Sequence, residues 1–202
     1  MFNPIIPHIL GPRHFEKLYR KRKDPWNYQA NPFETEKYER TLAALPHGVK
    51  QILEVGASEG VFTEMLLKRG LQVTGVDVSL TAIERAKKRL AGYGDQIALL
   101  AADITKDEVV GTYDLVLAAE VLYYLGGRDR LIKLRDKFRE ALRDEGYLLL
   151  VHFYPNGKLI HDLFQEEDAF RVVSEHVYPH PERDYLITLL RKLPSSRVSD
   201  QR

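Results

Sequence analysis

The sequence predicts an α/β fold built on a seven-stranded, mostly parallel sheet, with helices on both faces and a C-terminal antiparallel hairpin. Three observations carry this reading. Short apolar, β-branched runs recur at Gln51–Val55, Leu71–Val76, Ile97–Ala101, Tyr113–Ala118 and Tyr147–Phe153. Stretches of helical period alternate with them, and apolar strands alternating with helices belong to parallel sheets covered on both faces. Two later runs, Phe170–Tyr178 and Tyr185–Leu190, flank a Pro-containing turn and read as a hairpin at the sheet edge.

Prolines at 4, 7, 12, 25 and 32 punctuate residues 1–32, and each removes a backbone donor and restricts its predecessor. This segment reads as an arm or lid with one short helix over Arg13–Lys21. Residues 33–193 form the main domain, and 194–202 a polar, frayed tail. Tyr38, Leu42 and Leu45 share a helical face over residues 33–45, which Pro46-His47-Gly48 ends. Gly60–Arg69 is a helix closed by Gly70, and Ser79 caps another that runs to Leu90. Leu131, Leu134, Phe138 and Leu142 form one stripe of a long helix over Arg128–Arg143. Asp144-Glu145-Gly146 turns into the fifth strand, and Leu159–Gln165 is a last helix.

At 202 residues and 44% hydrophobic, the chain suits one domain with a full core. A formal net charge of +1 gives no electrostatic case for nucleic acid or an anionic membrane as partner. The basic run Arg20-Lys21-Arg22-Lys23 is short and reads as a solvated segment. Cysteine is absent, which excludes disulfides, thiolate nucleophiles and Cys-based zinc sites. The seven histidines show no metal-ligand spacing, so no metal is expected. No apolar run reaches the roughly 18–20 residues of a bilayer span, and the N-terminus lacks a basic start followed by an apolar stretch. The expectation is a soluble cytoplasmic protein, monomer or homodimer.

The first strand runs into Gly56-Ala57-Ser58-Glu59-Gly60. Two glycines four apart at a strand-to-helix turn let the backbone bend sharply and approach a ligand, to which the next helix offers its free N–H groups. Asp77 ends the second strand, seventeen positions beyond Gly60, where a carboxylate can accept both hydroxyls of a ribose; otherwise it is an ordinary residue at a helix start. Asp103-Ile104 ends the third, where an acid can bond an adenine amino group and an apolar neighbour can cover the ring. All three signals fall at carboxyl ends of successive strands, where open α/β sheets bind ligands. Ser58 stands where dinucleotide-binding loops favour a glycine that makes room for pyrophosphate. With Glu54 before the loop, this favours a ligand with a nucleoside and a charged amino group, as in S-adenosylmethionine.

ILEVGASEGVFTEML, VTGVDVS, AADI and YDLVLAAEVLYYL follow one another over about residues 50–153. This set resembles the ordered motifs of class I S-adenosylmethionine-dependent methyltransferases. The resemblance implies a Rossmann-like fold, a methionine contact by Glu54, Gly56, Ala57 and Gly60, a ribose contact by Asp77 with Val78 beside it, and an adenine contact by Asp103 and Ile104. DPWNYQANPFETEKYERTLAALP and EVLYYL are similar to the nodulation-protein-S family, which implies N-methylation, with amino-sugar oligosaccharides among the acceptors.

An acceptor should sit near the end of the fourth strand, at Ala118-Ala119-Glu120. Glu120 either orients or deprotonates an acceptor amine or hydroxyl, or only caps the next turn or contacts the cofactor. Tyr123 and Tyr124 could wall the methyl-transfer site with electron-rich faces, or simply pack. His152 is either a base near neutral pH or a buried, satisfied histidine. Trp26 and Tyr28 could stack on sugar or cofactor, or anchor the arm; Lys37 and Tyr38 are further lid candidates. Nucleic-acid methylation fits poorly, because the fourth strand lacks an Asn/Asp-Pro-Pro-aromatic ending and no cysteine is available. The expected function is methyl transfer to an amine or hydroxyl of a small-molecule acceptor. The alternatives are a non-catalytic S-adenosylmethionine-binding module and a dinucleotide-dependent oxidoreductase.

Overall fold

The structure is a computed structural model and describes residues 10–194. The first nine residues of the arm, and the expected tail beyond its first residue, lie outside the described residues. The strands are β1 (Gln51–Val55), β2 (Gln72–Asp77), β3 (Ile97–Ala101), β4 (Tyr113–Ala119), β5 (Leu142–Phe153), β6 (Phe170–Tyr178) and β7 (Tyr185–Lys192). They form one sheet in the order β3-β2-β1-β4-β5-β7-β6. The first five are parallel, and β7 runs antiparallel to both of its neighbours. The hairpin is therefore present, with its second strand inserted between β5 and β6.

Among the described residues the α-helices are α1 (Pro12–Lys21), α2 (Pro32–Ala43), α3 (Val61–Lys68), α4 (Leu80–Arg89), α5 (Arg128–Ala141) and α6 (Asn156–Gln165). Their ends follow the local chemistry. Pro32 sits in the first turn of α2, where no N–H is needed, and the Asn31 side chain accepts from Phe33 N–H at 3.0 Å. Ser79 caps α4 by accepting from Ala82 N–H at 3.2 Å. Asp144-Glu145-Gly146 does turn, as a break within β5: Tyr113 pairs with Leu142 but Leu115 already with Tyr147, and Glu145 has φ 62°.

Successive strand residues point to opposite faces, and the core divides accordingly. Leu115, Leu117, Leu149 and Val151 pack with Phe33, Leu42, Phe62 and Leu66 of α2 and α3. Val116, Ala118, Leu148 and Leu150 pack with Leu131, Phe138, Leu163 and Phe164 of α5 and α6. Both faces are covered, which is why these strands lack polar alternation. The carboxyl ends of β1, β2 and β4 are thereby brought side by side. Among the described residues no helix is long and apolar enough to cross a membrane.

Candidate active site

A cavity of about 540 Å³ opens at the carboxyl edge of the sheet. Gly56, Asp77, Val78, Asp103 and Ile104 line it on the side of β1, β2 and β3. Glu120, Tyr123 and Tyr124 line it beyond β4, and Trp26, Tyr28 and Lys37 come from the arm and α2. Eleven positions singled out in the sequence thus meet on one surface. Glu54, Ala57 and Tyr38 instead line a smaller cavity of about 30 Å³ behind the loop, and Gly60 and His152 line neither.

The loop is built for close approach. Gly56 has φ 85°, and a Cβ there would stand 3.2 Å from Val121 Cβ, narrowing the gap between loop and acceptor segment. Gly60 has φ 79°, but its surroundings are Leu90 and Ala86 of α4. A side chain there would press on the packing of α3 against that segment. Ser58, at φ 52°, donates its N–H to Asp77 Oδ2 at 3.0 Å and meets the Tyr19 hydroxyl at 2.5 Å through its own. Asp77 Oδ1 accepts from Ser79 N–H at 2.8 Å. Asp77 therefore ties the loop to the start of α4, and burial pushes its carboxyl up to about 6 despite these bonds. Asp103 is held by Thr105 at 2.6 Å and Lys106 at 2.8 Å, which keep its carboxyl below the usual range against the opposing cost of desolvation.

Glu54 is turned away from the main cavity. Its Oε2 accepts from Thr63 Oγ1 at 2.6 Å, and burial pushes its carboxyl up to about 8. A folded-state value above the ordinary 4.5 of a glutamate means that Glu54 contributes stability below pH 4.5, lost as pH rises through about 8. Asp77 adds a loss of the same sign that ends near pH 6. Glu54→Gln should therefore flatten the fall in stability between about pH 6 and 8, a slope of up to about 1.4 kcal/mol per pH unit in the wild type. Urea unfolding across that range measures it; equal slopes in both proteins would show that Glu54 is ionised when folded.

On the acceptor side the structure adds Glu34, which sequence reasoning missed, and makes the lid candidate Lys37 its ion-pair partner. Lys37 is 1% exposed and bridges two carboxylates, Glu34 at 2.9 Å and Glu120 at 3.0 Å. Glu34 also lines the cavity, and desolvation pushes its carboxyl up against the pull of Lys37. Only the i,i+3 spacing of Glu34 and Lys37 was a signal. Glu120 has φ 53°, a left-handed conformation costing roughly 1–3 kcal/mol outside glycine. Its N–H donates to Val151 O at 2.8 Å, so β5 holds the kink that turns its side chain to Lys37.

His152 is fully buried, with both ring nitrogens engaged. Nε2 accepts from Leu122 N–H at 3.3 Å and Nδ1 lies 2.9 Å from His161 Nε2. A base must offer a free lone pair to the acceptor. His152 has none to offer, and burial drives it well below the usual imidazole range. The buried alternative describes it.

The arm forms the roof. Glu16 of α1 bonds Ser79 Oγ at 2.7 Å and Thr81 Oγ1 at 2.7 Å, clamping α1 to the start of α4. Phe15 meets Tyr124 edge-on at 5.3 Å, and Trp26 stacks on Tyr28 at 5.8 Å. Glu59, paired with Arg85 at 2.6 Å, also accepts from Asp24 N–H. Tyr38 stacks on Phe62 and belongs to the core beneath the arm.

The family model of nodulation protein S (NodS) matches residues 14–152, from α1 to the end of β5. The chain belongs to the nodulation protein S family. A nodulation protein S of Rhizobium tropici is 36% identical over 105 residues, 51% of this chain and 44% of that protein. The chain spans about half the length of the first curated relatives it matches. The crystal structure of N-methyltransferase NodS from Bradyrhizobium japonicum WM9 with S-adenosyl-L-homocysteine superposes with a TM-score of 0.78 at 26% identity, covering 90% of this chain and 98% of that one. A Burkholderia thailandensis 1,6-didemethyltoxoflavin-N1-methyltransferase shares the fold, with a TM-score of 0.74 at 19% identity, over 93% and 91% of the two chains. The matched residues take in both the arm helix, from residue 14 on, and the glycine loop.

Proposed function

We propose that this protein is an S-adenosylmethionine-dependent methyltransferase acting on an amine of a small molecule, with amino sugars as the first acceptors to try. One observation carries the reading. A single cavity is lined by the Asp77 carboxylate, which we read as the ribose acceptor, and by the Glu34–Lys37–Glu120 cluster.

The residues fit the cofactor. Asp77 would take the ribose hydroxyls, Ile104 would cover the adenine, Asp103 would address its amino group, and the open backbone at Gly56 would admit the methionine part. When bound, S-adenosylmethionine supplies an electrophilic methyl group on a sulfonium, so the protein's work is alignment and proton removal. An amine that arrives as an ammonium must lose a proton before its lone pair can attack. Glu120 accepts hydrogen bonds from such a group and can take that proton. Glu34 and Glu120 offer carboxylate oxygens to an ammonium on this wall, with Lys37 between them and Arg183 lining the same cavity. Tyr124 and Tyr123 present aromatic faces beside the same point.

Calorimetry with S-adenosylhomocysteine and with NAD tests the cofactor, and mass spectrometry for a gain of one methyl on amine and hydroxyl libraries tests the acceptor. We expect binding of the first ligand only, and methylated amines. Glu120→Gln should lower kcat by about 100-fold with cofactor affinity unchanged. Near-normal turnover of that variant would sink the role of Glu120, NAD binding alone would sink the methyltransferase reading, and binding without turnover would favour a regulatory module.

A further inference from the structure

A chain of four polar groups runs behind the acceptor wall, each from a different strand or helix. His152 ends β5, His161 lies in α6, Thr188 in β7 and Glu175 in β6. The first three are fully buried. His152 Nδ1 and His161 Nε2 are 2.9 Å apart, His161 Nδ1 and Thr188 Oγ1 2.7 Å, and Thr188 donates to Glu175 Oε2 at 3.1 Å. Glu175 reaches the surface and pairs there with Lys158 at 3.1 Å. Gly157 of α6 belongs to the same construction: a Cβ there would stand 2.5 Å from His152 Cβ, so only glycine lets α6 close on the imidazole.

One direction of donation satisfies every link. Glu175 can only accept as a carboxylate, so the Thr188 hydroxyl donates to it and accepts from His161 Nδ1–H. His161 Nε2 is then an acceptor, which makes His152 Nδ1 the donor and leaves His152 Nε2 with a lone pair. That lone pair accepts the N–H of Leu122 at 3.3 Å. Leu122 lies between Glu120, held at φ 53°, and Tyr123–Tyr124, which line the cavity. The Tyr123 ring also stands edge-on to the His152 ring at 5.1 Å. Both imidazoles are held neutral by burial, consistent with this pattern. Burying such a chain is costly unless each member is satisfied.

We infer that Glu175, Thr188, His161 and His152 form a positioning relay that fixes the His152 tautomer and, through the Leu122 N–H, the segment 120–124 that presents Glu120, Tyr123 and Tyr124 to the acceptor. Its catalytic consequence rests on the proposed methyl transfer; its structural part does not.

Nitrogen NMR and amide exchange on the cofactor-free protein test it directly. The wild type should show His152 protonated at Nδ1 and bare at Nε2, with a protected Leu122 amide. Thr188→Val, which keeps the shape and removes the hydroxyl, should speed Leu122 exchange about tenfold, and Thr188→Ser should restore it. In turnover, Thr188→Val should lower kcat about tenfold while S-adenosylhomocysteine affinity stays unchanged, with rescue by Thr188→Ser. Glu175→Ala, altered at the surface end, should shift the same signals and decides the matter if Thr188→Val does not fold. Unchanged Leu122 exchange, a His152 proton on Nε2, or a serine variant as impaired as the valine one would overturn the relay. A wild type without methyl transfer would count against the proposed function alone, because exchange reads the relay without turnover.

Discussion

Asp77→Ala should weaken S-adenosylhomocysteine binding by about 100-fold, the loss of two hydrogen bonds to a charged acceptor. The effect on folding should be much smaller, because two opposed changes meet there. The N–H groups of Ser58 and Ser79 lose their acceptor, but the protein is also relieved of a carboxylate that burial pushes up to about 6. The same value sets a pH dependence. The ionised carboxylate is the form that accepts two hydroxyls, so affinity should hold above about pH 6 and fall below it, approaching tenfold per pH unit. Calorimetry from pH 5 to 8 and a thermal melt measure the two halves. Wild-type affinity in the variant would remove Asp77 from the cofactor site.

Removal of residues 1–30 should abolish turnover, by about 100-fold or more, while the sheet remains folded. Leu10, Phe15, Trp26 and Tyr28 supply cavity wall that the cut would remove. The cut leaves Asn31 in place, so α2 keeps its cap and Lys37 its position between Glu34 and Glu120. A milder variant, Glu16→Ala, removes the clamp on Ser79 and Thr81 together with an exposed pair to Arg20, and should fall between the two. Circular dichroism checks folding and the methyl-transfer assay checks the roof. A fully active truncation would refute an arm that completes the site.

The parallel strands were legible because each is a short apolar run bounded by turn residues, and Asp77 because its distance from the glycine loop places it at a strand end. The neighbourhood of Glu120 was less legible. Its partner Lys37 lies 83 positions away, and nothing local announces a buried ion pair between a helix before the sheet and a strand end in its middle. The surroundings of Glu54 were hidden for a related reason: its position before the loop suits a ligand, and nothing local announces the hydrogen bond from Thr63, nine residues on, that its carboxylate accepts. His152 could be read as base or as core residue, and the choice needed β7 and α6 in place. A hairpin pattern says that β6 and β7 pair, not which of them faces β5; that follows from the wholly buried run Tyr185–Leu190, apolar but for Thr188, against the more exposed β6. Tyr19, Phe15 and Glu16 share a short basic helix, and their targets on Ser58, Tyr124 and α4 are visible only in three dimensions.

The outer strand of the hairpin limits how far the sheet can grow. Val172 pairs with Leu190 and Ser174 already with Leu189, so Val173 is an extra residue that kinks β6. Val172, Val173 and Val177 are apolar and exposed there, the composition that invites a strand from another molecule. The bulge breaks the even row of donors and acceptors such a strand would need, and charged Arg171 and Glu175 flank it. A substitution that deleted the extra residue would straighten this edge and trade a self-terminating sheet for one open to polymerisation.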